Sequence, residues 1–206
     1  MRLSGSLTSR VGRALFRARF GILTIGISYF LAVGTGITMV HTGNRFALGY
    51  ADRIVTNAAN TSLILRMVDQ KRPLVAAGLD FGANSLGGVA STLAGYWAPA
   101  VYPVAIYRGW IGGIVSVDRK HRSRLSSLSE RRYYLITICL QLVPYILAGG
   151  AGVNLGIARI RPIGDYAGPK MFGVPTESIR DAGRIYLLVI PLFALASMHE
   201  FLAIPR

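Results

Sequence analysis

A run of 26 residues without a charged side chain, residues 133–158, lies in the second half of the chain. An α-helix rises about 1.5 Å per residue, and a bilayer core needs roughly 20 apolar residues to cross. The run is therefore long enough to span a membrane as one helix. Small residues recur in it every four positions, and polar residues interrupt it. This pattern predicts a helix packed among other helices, because small residues let two backbones approach closely in lipid.

The composition also indicates a membrane protein. The chain has 206 residues, a mean hydropathy of +0.44 and 16% charged residues, against roughly 25% in soluble domains. Its net charge is +14. Since the basic residues lie between apolar runs, we expect them to contact anionic membrane lipid and no nucleic acid. The single cysteine, Cys139, excludes an intrachain disulfide and a cysteine zinc cluster.

The first 19 residues carry five arginines and no acid. Such a start is compatible with a transit peptide, with the basic region of a signal peptide, or with a juxtamembrane segment. The apolar run that follows, residues 20–40, is longer than the roughly 7–15 residues of a cleaved signal core. We therefore predict a basic juxtamembrane segment at 1–19 and an uncleaved span at 20–40.

A second charge-poor stretch, residues 74–117, contains only Asp80 and Arg108 as charged residues. Its length exceeds one ordinary span, and two prolines interrupt it beside aromatic residues that favour the membrane interface. We predict two short spans joined by a tight turn, at about 76–97 and 99–116. One span with a re-entrant piece is the alternative.

These patterns predict an all-α, polytopic helical membrane protein, with residues 1–206 forming a single integral membrane domain. We expect about five transmembrane helices, four being the alternative; the remaining spans are 133–158 and 184–203. Residues 51–69 have apolar side chains at helical spacing, which predicts an amphipathic helix on the membrane or a solvated connecting helix. The basic residues are spread too evenly over the connections to decide the orientation.

Two sets of residues inside the predicted spans are candidates for the interior of the bundle. Polar side chains at bilayer depth are usually paired or line a cavity, unless they reach water from a span end. Asp80 qualifies by position, and the other polar candidates are Asn84, Arg108, Gln141, Asn154 and Glu200. Small residues spaced by four positions are candidates for helix packing: Gly87, Ser91, Gly95, Gly109, Gly113, Ala148, Gly152 and Gly156.

Three segments occur in a characteristic order: DFGANSLGGVASTLAG followed by YRGWIGGIVS, then LQLVPYILAGGAGVNLG, then PLFALASMHEFLA. Together they resemble the stage II sporulation protein M family of polytopic membrane proteins, over roughly residues 74–206. The matching positions are Asn84, Gly109, Gly112, Gly113 and Glu200-Phe201. The resemblance implies a membrane partner in an envelope complex and an inward-facing Glu200, for which Arg108 is a candidate partner.

The motifs of common enzymes do not occur. There is no G-x-x-x-x-G-K-[ST] loop, no H-E-x-x-H and no G-x-S-x-G, and the three histidines lie in different segments. We therefore expect no catalytic residue, no cofactor, no metal site and no enzymatic activity.

Two function hypotheses follow. The first is a non-enzymatic scaffold in a multi-pass cell-membrane location, expected to be a prokaryotic inner membrane. Its partners are other membrane proteins of a complex or a second copy of the chain. The second is a permease-like subunit that works with a separate ATPase, because interrupted spans and intramembrane polar groups recur in transporters.

Overall fold

The computed structural model describes residues 6–161, 166 and 168–203. This part of the chain is almost entirely helical, and the all-α prediction is confirmed. A 3₁₀ turn, Ala98–Ala100, follows the fourth helix, and two-residue strands β1 (Lys170–Met171) and β2 (Val174–Pro175) pair antiparallel. The helices are α1 (Leu7–His41), α2 (Arg45–Thr61), α3 (Leu63–Asp69), α4 (Pro73–Tyr96), α5 (Val101–Ile114), α6 (Leu128–Ile160) and α7 (Thr176–Leu202).

Among these helices, α1, α6 and α7 are long and apolar enough to cross a membrane. The expectation of a membrane protein with transmembrane helices agrees with this finding. The two predicted short spans correspond to α4, with 24 residues, and α5, with 14 residues. At about 1.5 Å per residue α4 rises about 36 Å and α5 about 21 Å, the latter less than the roughly 30 Å of a bilayer core.

Several helix ends differ from the predicted ones. The basic segment expected outside the first span is part of α1, which begins at Leu7 behind a Ser6 cap. Leu, Ala and Arg all favour helix, so the apolar helix continues into the arginine-rich segment. The single helix expected at 51–69 is two helices, because Ser62 is extended and caps α3 by accepting a hydrogen bond from the Leu65 backbone N–H.

The long helices form one bundle around α6. α4 runs parallel to α6, whereas α1 and α7 run antiparallel to it, and α5 lies along α1 in the same direction. We call the end of the bundle that holds the start of α1 the proximal end; it also holds the α4–α5 turn and the α6–α7 connection. The distal end holds α2, α3 and the α5–α6 connection.

Glycines let the backbones of neighbouring helices touch. A Cβ atom added at Gly152 of α6 would lie 2.8 Å from Thr92 Cα and 3.0 Å from Gly95 Cα of α4. A Cβ at Gly113 of α5 would lie 2.9 Å from Gly36 Cα of α1. No real Cβ tolerates such distances, so these contacts require glycine.

The small residues singled out in the sequence lie at three places in the bundle. Gly95, Ala148, Gly152 and Gly156 lie between α4 and α6, and Gly109 and Gly113 lie between α5 and α1. Gly87 faces Tyr145 and Arg108, and the buried Ser91 donates a 2.9 Å hydrogen bond to the Gly87 carbonyl. Sequence spacing missed the contact glycines Gly21, Gly36, Gly88 and Gly150.

We predict that Gly152→Leu destabilises the protein, because a large side chain must push α4 and α6 apart. Overpacking costs about 1–3 kcal/mol or more. Gly34→Leu is the matched control, since nothing lies within 4 Å of a Cβ at that exposed position of α1. Thermal unfolding in mild detergent measures both variants, and equal melting temperatures would show that the α4–α6 contact is not needed.

Candidate functional site

The inward polar side chains form two separate groups. We call the group in the distal half of the bundle the central polar cluster; its members are Asp80, Asn84, Arg108, Gln141, Tyr145, Ser197 and Glu200. We call the group near the proximal end the terminal ion cluster; its members are Arg17, Asn154, Tyr166, Glu177, Asp181 and Arg184. Five of the six polar candidates from the sequence belong to the central polar cluster, and Asn154 belongs to the other group.

A chain of hydrogen bonds connects three helices in the central polar cluster. Asn84, one turn after Asp80 on α4, donates to the Asp80 carboxylate at 2.8 Å. Ser197 of α7 donates to the same oxygen at 2.7 Å. The Tyr145 hydroxyl of α6 donates to the Asn84 side-chain oxygen at 2.8 Å. Asp80 is thus held by two neutral donors and no cation, which explains how it is accommodated away from a helix end.

Arg108 of α5 reaches this cluster through an aromatic ring. Its guanidinium carbon lies 4.3 Å from the centre of the Tyr145 ring, a cation–π contact. No carboxylate of the described residues forms a salt bridge with Arg108. The candidate pairing of Arg108 with Glu200 is therefore not found among the described residues. α5 packs mainly on α1, whereas α7 packs on α4 and α6, so the two side chains approach α6 from different helices.

Glu200 faces inward and pairs with α6. Its carboxylate accepts a hydrogen bond from the side-chain amide of Gln141. One residue earlier, His199 stacks on Tyr133 with ring centres 5.5 Å apart and lies 3.2 Å from the Thr137 hydroxyl. The Tyr133 hydroxyl donates to the Glu200 carbonyl at 2.7 Å. The last turns of α7 are thereby attached to the start of α6, and Glu200 is not at a free helix end.

Two adjoining cavities border the central polar cluster. The larger, of about 480 Å³, is lined by Arg108, Asn84 and Tyr145 together with three further polar and six apolar residues. The smaller, of about 160 Å³, is lined by Glu200 and by Arg124 from the α5–α6 connection. Gln141 lines both cavities. The amide of Gln141 therefore stands between the space beside Arg108 and the space beside Glu200.

Asp118 organises the α5–α6 connection that contributes Arg124. Its carboxylate accepts hydrogen bonds from the backbone N–H groups of Arg122 at 2.9 Å and Lys120 at 2.8 Å, and from the Arg122 guanidinium at 2.8 Å. These donors, first of all the Arg122 backbone, lower the pKa of Asp118 to about 2. Asp118 is consequently ionised at neutral pH and keeps the connection folded at the distal end.

The terminal ion cluster is centred on Asp181, which is fully buried. Arg17 of α1 donates two hydrogen bonds to its carboxylate, at 2.6 and 2.9 Å. Arg184, one turn later on α7, donates to Asp181 at 2.6 Å and to Glu177 at 2.5 Å. The buried carboxylate is therefore paired in the bidentate geometry that Arg provides. This pairing joins the first and last long helices.

Tyr166 connects this cluster to α6. Its hydroxyl donates to Asp181 at 3.2 Å and accepts from the Asn154 amide at 2.7 Å. Burial raises the pKa of Tyr166 to about 12. The sequence candidate Asn154 thus supports an ion pair that the sequence analysis did not find. The sequence did indicate that this part of α1 is buried, since Ala14, Ala18 and Gly21 form a face of small residues beside Arg17.

Within the described part of the chain, no three His, Cys, Asp or Glu side chains come together in a way that could hold a metal ion. The geometry supports interhelical connection and ligand binding. Comparison of the chain with protein families, with curated proteins and with solved structures finds no match in any of the three.

We predict that Asp181→Asn destabilises the protein, because it removes the carboxylate that Arg17 and Arg184 share. Removing one member of a buried ion pair lowers the free energy of unfolding by about 3–5 kcal/mol. We expect a value at the lower end of this range, because Glu177 still pairs with both arginines. Asp69→Asn on the exposed end of α3 is the control. Melting in detergent compares the two, and similar melting temperatures would contradict a stabilising role for the cluster.

Proposed function

We propose that the chain is a non-enzymatic subunit of the cell membrane, expected to be a prokaryotic inner membrane, that serves as a scaffold in a larger envelope complex. Its resemblance to the stage II sporulation protein M family implies this role. The supporting observation is that polar side chains inside the bundle connect helices to one another. Asp80 and Asn84 of α4 join α6 through Tyr145 and α7 through Ser197.

The proposal includes five membrane crossings by α1, α4, α5, α6 and α7. The five helices alternate in direction along the chain. Gly95 of α4 packs on α6, and Gly113 of α5 packs on α1. Helices packed along candidate spans in this way are expected to share their depth in the membrane, and this supports α4 and α5 as the two short spans.

A permease-like subunit that works with a separate ATPase is the second candidate. The larger cavity beside Arg108 supports it, since transporters bind substrates near the middle of the bilayer. Pro144 and Pro191 inside α6 and α7 also support it. Interior prolines remove a backbone hydrogen bond and provide places where a helix can bend.

We predict that the α4–α5 turn is exposed to water on the side that holds the start of α1. In a background with Cys139→Ala, single cysteines at Ser9, Ala100 and Lys170 should react with a membrane-impermeant maleimide from one side. Cysteines at Thr61 and Ser129, at the distal end, should react from the other side.

If the Ala100→Cys variant is labelled from neither side, the proposal that α4 and α5 form a transmembrane hairpin is wrong. Labelling of the Ala100→Cys and Thr61→Cys variants from the same side would show that α4 does not cross the membrane. In either case the chain would have fewer than five spans.

We predict that Glu200→Gln leaves the protein folded and lowers the recovery of partner proteins in a mild-detergent pull-down. The amide keeps the volume and an acceptor for Gln141, and no cation loses its partner. The melting temperature should therefore stay near that of the wild type. Partner recovery should fall, because we infer from the family resemblance that the charge of Glu200 takes part in complex assembly.

Asp69→Asn is the matched control for charge removal at an exposed position and should change neither quantity. Unchanged partner recovery in Glu200→Gln would remove Glu200 as a site. Mass spectrometry of the recovered proteins separates the two functions: envelope-remodelling proteins support the scaffold, and a P-loop ATPase supports the permease-like subunit.

A further inference from the structure

We propose that the larger cavity binds a small amphipathic anion, with Arg108 holding its carboxylate or phosphate group and an apolar wall holding a short aliphatic tail. The cavity lies where α1, α4, α5 and α6 meet, with one residue of α2 at its border. This inference goes beyond the scaffold function and does not depend on it. It would name the substrate class if the permease-like function is correct.

The first argument is the charge of the lining. Arg108 is half-buried at depth in the bundle, and no side chain among the described lining residues is a carboxylate. Asp80 is connected to Arg108 only indirectly, through Asn84 and the Tyr145 side chain. The Tyr145 ring covers one face of the guanidinium, whereas its N–H donors lie at the edge of the plane. A cation at bilayer depth is costly unless it is paired, so an anion is the complement that the site lacks.

The acids near the cavity are already bound by other groups. Asp80 accepts from Asn84 and Ser197, and Glu200 accepts from Gln141 on the side of the smaller cavity. One carboxylate oxygen of each acid is therefore bound within the protein. The larger cavity presents a guanidinium and hydroxyl groups and favours an anion over a cation.

A second donor is available at Tyr29. This side chain is 1% exposed, lines the cavity, and makes no hydrogen bond through its hydroxyl within the described residues. By contrast, the Tyr145 and Tyr107 hydroxyls in the same lining bond to Asn84 and Tyr50. The free hydroxyl of Tyr29 and the edge of Arg108 together provide donors for one anionic group.

The remaining lining is aliphatic and limits the size of the ligand. A volume of about 480 Å³ lies within the roughly 300–1,000 Å³ of small-molecule sites. Tyr107 lies at the opening, since it lines the cavity and is also 52% exposed. Its 2.8 Å hydrogen bond to Tyr50 of α2 spans part of this opening. The apolar wall consists of Ile54, Ile111, Gly112, Val115, Ile138 and Leu142.

The test uses the full chain purified in non-ionic detergent, with hexanoate and hexyl phosphate as probes and hexanamide and hexylamine as matched controls. Isothermal titration calorimetry measures affinity, and differential scanning fluorimetry measures the melting temperature. We expect at least one of the anions to bind and to raise the melting temperature, and the neutral amide and the amine to have no effect. Equal effects of the anions and hexanamide would overturn the proposal, as would the absence of binding by both anions.

Three variants locate the site. Arg108→Gln should weaken binding of the anion about tenfold or more, because it removes a charge-assisted hydrogen bond. Tyr29→Phe should weaken it several-fold while keeping the buried ring. Arg132→Gln removes an exposed charge in the first turn of α6 and should leave binding unchanged. Binding by Arg108→Gln at wild-type affinity would overturn the proposal.

If Arg108→Gln does not fold, Tyr29→Phe and the comparison of anion with amide decide the outcome. Wild-type affinity in Tyr29→Phe would then count against the site. An anionic phospholipid added to the detergent forms a separate arm. Stabilisation by the phospholipid alone, lost on removal of the Arg108 charge, would place a lipid headgroup at Arg108 and would also overturn the proposal.

Discussion

Direct backbone contact at glycine is the condition on which the rest of this bundle depends. Lipid removes most of the drive for apolar helices to associate, so the helices must gain stability from close packing and hydrogen bonds. α6 makes such contacts on two faces, through Gly150 against Ile22 of α1 and through Gly152 against Thr92 of α4. Thr92 strengthens the second contact with a 2.8 Å hydrogen bond to the Ala148 carbonyl. α6 is thereby held between α1 and α4, and its polar side chains have fixed neighbours.

The position of α6 determines where both polar groups lie. Gln141 and Tyr145, one turn apart, face Glu200, Asn84 and Arg108 in the distal half. Asn154, farther along the same helix, meets Tyr166 near the proximal end. The position of a polar residue along α6 therefore determines whether it belongs to the central polar cluster or to the terminal ion cluster. The scaffold and permease-like proposals differ in how they use the distal group, and the anion proposal concerns the space beside it.

Helical periodicity predicted much of the architecture because it reports which face of a helix is buried. The uncharged run around α6, the interruption between α4 and α5, and the spacing of Gly95, Gly152 and Gly156 were all present in the sequence. Periodicity does not report which helix lies opposite a face. Arg108 was a candidate partner of Glu200, but the helices that carry the two residues pack on different neighbours.

Two features escaped the sequence analysis for physical reasons. Arg17 was assigned to a basic segment at the membrane surface, where charges are ordinarily solvated, and its partner Asp181 stands 164 residues away. The division of α2 from α3 depends on the extended backbone of Ser62, a local choice that an apolar pattern running through 51–69 does not show. The ion pair and the break between α2 and α3 could be found only from the tertiary structure, since the sequence pattern favours a solvated basic segment and a single helix.

The separation of Arg17 from Asp181 along the chain also sets an order of events during biosynthesis. Arg17 leaves the ribosome early, and its buried acid is translated only after α6 is complete. Until α7 has been made, Arg17 of the first helix has no Asp181 carboxylate to pair with. This ion pair can therefore form only after the last long helix has been made, and a chain interrupted before residue 181 leaves Arg17 without the Asp181 carboxylate.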